Sequence, residues 1–206
     1  MAEEKIYHYP VWIRLWHLLN ALLCLFLIVT GISMQFSNTD FPLIRFDLAV
    51  SIHNIAGILL TINYVIFFTG NLFTSNGRYY KPVYRGFSRQ LAGQFRYYTR
   101  GIFRRETPPY PITVERKFNP LQQFSYVLMM YLVVPLSFIT GFALMYPEII
   151  PLRIFGSSGL HFTDLVHVIS AFIISMFMFI HIYFCTIGKT AVSNFKSLVD
   201  GYQESH

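Results

Sequence analysis

The sequence predicts an all-α integral membrane protein, a bundle of four transmembrane helices, and three observations lead there. The 206 residues are 54% hydrophobic and 13% charged, with a mean hydropathy of +0.45, too apolar for an ordinary soluble domain. Four apolar stretches, near 14–36, 49–73, 121–146 and 161–187, each supply the roughly 20 residues a helix needs to cross about 30 Å of hydrocarbon. The basic residues are sorted by loop: ten of the sixteen Lys and Arg lie between Arg78 and Lys117, and Lys5, Arg14, Lys189 and Lys196 fall on that same side. Only Arg45 and Arg153 lie opposite. The positive-inside rule then places both termini in the cytoplasm.

Each element has its own justification. The first span follows Lys5 and Arg14, lacks a small-residue cleavage site and exceeds the length of a signal-peptide core, so it reads as a retained anchor. The second and third spans are joined by a long polar and basic loop, 74–120. Within it Phe87, Leu91, Phe95, Tyr98 and Ile102 recur at helical spacing, while Arg85, Arg89, Arg96, Arg100 and Arg104 fall mostly on other faces. That pattern, from Tyr84 to Arg105, predicts an interfacial amphipathic helix held against anionic lipid or roofing a site. Pro135 predicts a kink in the third span. No low-complexity tract or linker divides the chain, so residues 1–206 read as a single domain. The net charge of +6 follows the topology, and nucleic acid is not expected as a partner.

Chemistry concentrates in four histidines. His167 and His181 are fourteen residues apart in the last span, which is about 21 Å along a helix axis, and the step falls only about 40° short of four turns. One helix face therefore presents two imidazoles at two depths. The first span runs outward and puts His17 near the cytoplasmic face; the second runs inward and puts His53 near the outer face. The depths match as His53 with His167 (outer) and His17 with His181 (inner), each pair joining two helices. An ionisable side chain inside a membrane is costly, and four that pair by depth point to metal ligation. Two imidazoles on one iron leave no open position, which suits one-electron transfer by b-type haem, two haems in all. No catalytic residue is expected on this chain.

Each histidine also has a structural reading. His17 beside Trp16 fits an aromatic belt, and His53 beside Asn54 fits a polar helix end. His161 projects about 120° away from His167 and reads as interfacial, while His8 and His206 read as ordinary terminal residues. Cys24 and Cys185 read as small apolar residues, and the absence of a Cys-x-x-Cys-His run excludes a covalently attached c-type haem. Thr30-Gly31 in span one is echoed by Thr140-Gly141 in span three; Gly31, Gly141 and Gly57 are candidates to pack against a haem or to bring helices close.

These residues resemble a known family, the dihaem cytochrome b subunits of respiratory formate dehydrogenase, nickel-iron hydrogenase and thiosulfate reductase, within the bacterial cytochrome b561-like superfamily. The resemblance covers nearly the whole chain. It rests on Arg14-Leu15-Trp16-His17, on His53 through Gly57, on the His167 to His181 spacing, on Lys117-Phe118-Asn119-Pro120-Leu121-Gln122 before span three, and on Gly188-Lys189 after span four. It implies a membrane anchor carrying electrons between the quinone pool (menaquinone or ubiquinone) on the cytoplasmic side and a periplasmic iron-sulfur or multihaem subunit, with its catalytic subunit beyond. In the formate dehydrogenase branch the quinone is contacted by residues corresponding to Asn119 and His181. The structural reading of Asn119 is an N-cap, with Pro120 at the first helical position. The long Arg- and Tyr-rich loop is closer to the hydrogenase and thiosulfate reductase branches. Two other readings stand beside this one: a free-standing cytochrome b561-type quinol oxidoreductase, and a membrane metal transporter whose histidines bind a passing ion.

Overall fold

A computed structural model of the chain describes residues 5–36, 43–81, 86–111, 113–187 and 192–204. Four helices are long and apolar enough to cross a membrane, Val11–Phe36, Phe46–Phe73, Pro120–Met145 and Gly159–Cys185, and their bounds differ from the expected spans by three residues or fewer. We number the helices α1 (Val11–Phe36), α2 (Phe46–Phe73), α3 (Phe87–Arg96), α4 (Pro120–Leu128), α5 (Val134–Met145), α6 (Gly159–Cys185) and α7 (Ser193–Asp200). Four short strands, β1 (Lys5–Tyr7), β2 (Arg153–Ile154), β3 (Ser157–Ser158) and β4 (Tyr202–Glu204), form two antiparallel pairs, β1 with β4 and β2 with β3. An even number of crossings returns both ends to one face, and there the two terminal strands pair.

The third span is where sequence and backbone meet most directly. It is built from α4 and α5 joined by one wide turn, a π-helical segment at Met129–Val133. Pro135 has no N–H to give the preceding turn, and its ring crowds the carbonyl four residues back, so the helix opens just before it. The expected kink is thus a widened turn.

The chain divides into two compact units. One consists of residues 15–68 and 131–184 and holds most of the four spans. It is apolar outside and polar within: Leu18, Val29, Ile55, Phe172 and Phe179 are exposed, while Thr30, Ser33, Asn63, Thr140 and Ser170 are buried. That inversion suits lipid as solvent, because hydrocarbon accepts aliphatic side chains and offers nothing to a hydroxyl or amide. Leu23, Ala56 and Leu60 pack with Cys24, Leu27 and Phe138 at the centre. Trp16 Nε1 donates to the Asn63 carbonyl at 2.9 Å and Asn63 Nδ2 to the Trp16 carbonyl at 3.3 Å, tying α1 to α2, with Phe67 stacked on the indole at 4.3 Å. Each such bond is worth about 1 kcal/mol net, and more where no water competes. In the β2–β3 hairpin, Phe155 and Gly156 both have positive φ, 49° and 82°, the mirror-image two-residue turn that matches strand twist.

The other unit consists of residues 1–14, 69–130 and 185–206. The expected amphipathic helix is present as α3, followed by a π turn at Tyr97–Gly101 and a 3-10 turn at Ile102–Arg104; Tyr84 and Arg85 lie outside the described residues. Phe87, Leu91, Tyr98 and Ile102 are partly buried as the spacing predicts, but Phe95 is exposed and Gln94 is buried instead. Gln94, seven residues after Phe87, lies within about 20° of it on a regular helix, whereas Phe95 lies about 80° away. Phe87 meets Phe124 of α4 at 6.1 Å, so α3 lies on the start of the third span. Gly188, Lys189 and His206 lie outside the described residues.

Candidate functional site

Helix periodicity and opposed chain direction bring the four histidines together two by two. The rings of His53 on α2 and His167 on α6 stand 6.3 Å apart, centre to centre, inclined by 73°. Those of His17 on α1 and His181 on α6 stand 6.1 Å apart, inclined by 51°. All four side chains are half-buried. The two centre-to-centre distances have a simple meaning. With metal–imidazole bonds of about 2 Å, and each nitrogen roughly 1 Å from its ring centre, two imidazoles on opposite sides of one ion stand about 6 Å apart. Both pairs fit.

The outer pair carries a second layer. Thr30 Oγ1 lies 2.9 Å from His53 Nδ1, and Thr140 Oγ1 lies 3.0 Å from His167 Nδ1. Each hydroxyl donates its proton to its own helix, Thr30 to the Phe26 carbonyl at 2.6 Å and Thr140 to the Leu136 carbonyl at 2.8 Å. The threonine oxygens must therefore accept from the rings. That assigns the proton of each imidazole to Nδ1 and leaves Nε2 with a lone pair, the tautomer a metal requires. The residue after each threonine is glycine. A Cβ at Gly31 would lie 3.6 Å from His53 Cε1, and one at Gly141 3.1 Å from His167 Cε1. The repeated Thr-Gly pair is a two-residue cradle, a hydroxyl for one ring nitrogen and a missing side chain beside the ring. Gly57, by contrast, faces Leu27 at 4.0 Å.

Aromatic rings flank His17 and His181. His181 stacks on Phe177 at 5.9 Å and 12°, and Trp16 lies edge-on to His17 at 6.3 Å. His161 is exposed at the start of α6. Among the described residues no three His, Cys, Asp or Glu converge as a metal cluster; the constellation is two pairs. Cys24 and Cys185 are free thiols.

The motif before the third span lies in the other unit. Asn119 Oδ1 accepts from the Gln122 backbone N–H at 2.9 Å, and Gln122 Oε1 accepts from the Asn119 N–H at 3.1 Å, a reciprocal capping box with Pro120 following. The N-cap reading of Asn119 is thus realised, and the spacing of Asn and Gln has its reason. Its amide also donates to Tyr98 Oη at 2.7 Å. Burial pushes the Tyr98 phenol up, and hydrogen bonds from Asn119 and Gln94 partly offset this. Lys117, two residues earlier, is 2% exposed: its Nζ donates to Asn76 Oδ1 at 3.0 Å and lies 4.5 Å from the centre of the Tyr9 ring. His8 is buried too, edge-on to Tyr79 at 5.9 Å, and is no ordinary terminal residue. Arg14 and Arg45 are engaged by the protein itself: the Arg14 guanidinium donates to the Val199 carbonyl, and Arg45 pairs with Asp47 at 2.7 Å.

Sequence reasoning missed Thr30, Thr140, Tyr98, Lys117 and His8 as site residues. The Thr-Gly echo was the available signal for the first two; the others depend on tertiary burial.

Comparison with known proteins gives the family. Residues 8–201 match the prokaryotic cytochrome b561 family. A protein of Escherichia coli strain K12, "Putative cytochrome YdhU", is 38% identical over 200 residues, covering 97% of this chain and 75% of the relative. No solved structure matches. With nearly the whole chain matched and four apolar helices to carry it, the protein belongs to the prokaryotic cytochrome b561 family, a multi-pass membrane cytochrome that transfers electrons on b-type haem.

Proposed function

We propose that the chain is a membrane-anchoring dihaem cytochrome b subunit that transfers electrons between the quinone pool, at a cytoplasmic-side site, and a periplasmic redox partner subunit. The observation that carries this reading is the pairing of four histidines, 6.3 and 6.1 Å apart, from three helices. His53 and His167 would hold the outer haem, and His17 and His181 the inner one. Iron between two imidazoles has no open position and supplies reversible one-electron transfer. Thr30 and Thr140 keep the outer rings in the ligating tautomer, and Gly31 and Gly141 keep space beside them. Substrate chemistry belongs to another subunit, an iron-sulfur or multihaem protein with its catalytic partner.

Asn119 and His181 are the quinone contacts in this reading, both placed there by family resemblance. A quinone carbonyl needs a hydrogen-bond donor, which the amide of Asn119 supplies, and access to protons. The N-cap role complicates a simple deletion, since Asn119→Ala costs about 1 kcal/mol through the cap alone. Asn119→Ser keeps the cap and removes the amide. We expect Asn119→Ser to retain both haems, read by the reduced-minus-oxidised spectrum, and to lose reduction by quinol. Unchanged quinol-driven reduction in that variant would remove Asn119 from the site. Purification from native membranes tests the partner: a co-purifying periplasmic redox subunit supports the anchor reading, whereas a solitary chain that still oxidises quinol supports the free-standing cytochrome b561-type oxidoreductase.

A further inference from the structure

Lys117 carries its ammonium into a buried place. It is 2% exposed, and its ammonium is met by one amide oxygen, Asn76 Oδ1, and by the faces of Tyr9 (4.5 Å), Tyr79 (5.5 Å) and Phe118 (5.6 Å). Among the described residues no carboxylate lies within ion-pair distance of it. Ring faces stabilise a cation by a few kcal/mol at most, well short of its hydration. Beside it sits His8, 4% exposed, with Nε2 buried and without a hydrogen-bond partner, and with its edge on the same Tyr79 ring. The other groups facing the pair are Tyr9, Tyr79, the Arg78 guanidinium and the Thr113 backbone, which hydrogen-bonds His8. Asn76 is itself fixed, its Nδ2 donating to Asn71 Oδ1 at 2.7 Å. A clamp alone would have been served by a neutral side chain at less cost.

We propose that Lys117 and His8 form a buried proton-exchange site that takes up the proton a quinol releases next to Asn119. The proposal rests on the quinone reading above. In the step, a quinol O–H bond breaks and an N–H bond forms on the neutral Lys117 Nζ. The quinolate left behind is the electron donor of that reading; after its first electron leaves, the remaining O–H proton follows the same route once Lys117 is neutral again, and the second electron completes the quinone. Lys117 then passes the proton to His8 Nε2, whose unengaged lone pair can take it, and His8 releases it to water. Quinone reduction runs the same bonds in reverse. Burial holds the Lys117 ammonium down to about 8, so both of its forms are populated near neutrality. His8 lies below its ordinary value, first through burial and then through the charge of Lys117.

Two measurements on the haem-loaded protein test this. Carbon NMR of ε-labelled lysine, with the Lys117 signal assigned by its loss in Lys117→Arg, should show a lysine titrating within about pH 6 to 9.5, far below an exposed lysine. Quinol-driven haem reduction in the wild type should rise with pH through the same midpoint, because the neutral amine is the acceptor. Lys117→Arg, which keeps the charge but cannot give up its proton, should retain both haems and slow that reduction on the order of a hundredfold, with the pH dependence abolished. His8→Gln should slow it less. A Lys117 signal that stays charged across the range, or a Lys117→Arg protein with wild-type rate and pH profile, overturns the proposal. If Lys117→Arg loses its haems, the wild-type titration and pH profile decide alone. A wild type that quinol does not reduce at all would instead overturn the quinone reading.

Discussion

The two histidine pairs are equally spaced but differently built. At His53 and His167 the restraint is polar: a threonine hydroxyl on a neighbouring helix, satisfied by that helix, fixes the ring proton, and the next residue leaves room beside the ring. At His17 and His181 the described restraints are aromatic, Trp16 and Phe177. A hydrogen bond sets both tautomer and ring angle, while stacking sets the plane and leaves the tautomer to other groups. The outer pair is therefore written into short dipeptides on α1 and α5, and the inner pair into packing.

Substitutions can break this comparison at graded strength. Replacing a ligand removes a haem: His53→Ala or His167→Ala should abolish the outer one and His17→Ala the inner one, each halving haem per chain. Loss of both haems from His53→Ala would show that the pairs do not act independently. A bulky residue at a cradle glycine comes next. Gly141→Leu should empty the outer site because even a Cβ would lie 3.1 Å from the His167 ring, while Gly31→Ala, at 3.6 Å from His53, should be nearly silent. Thr140→Val keeps the shape of the side chain and removes the acceptor, so outer-haem affinity should fall about 10–100-fold. Haem loss to an apo-globin acceptor would measure it, and an unchanged rate would show that Thr140 does not govern the ligand. Phe177→Leu, on the stacked side, should have the smallest effect, with haem retained and its signal shifted.

Legibility followed the range of the interactions. The spans and the two-by-two matching of the histidines were readable because hydropathy and a 1.5 Å rise act along one helix. The cap at Asn119, Pro120 and Gln122 was readable in part, since a capping box spans four residues. The tautomer device was half visible: Thr30-Gly31 and Thr140-Gly141 stood out as an echo, yet only the glycines were given a role, because which ring a hydroxyl meets is set by a different helix. Lys117 and His8 read as loop and terminus, and nothing local to them announces burial; it arises where β1, the 3-10 turn at Ser75–Tyr80 and the start of α4 share one unit. On α3 the buried position is Gln94 and not Phe95, because an apolar side chain was preferred to the position that regular helix geometry puts on the covered face.

The central claim is that each histidine pair grips one iron. A reduced-minus-oxidised spectrum of the purified chain, taken with a haem-to-protein ratio, tests it directly. The account predicts low-spin b-type spectra with two haems per chain. One haem per chain, or a high-spin spectrum that binds carbon monoxide in the folded wild type, would contradict it.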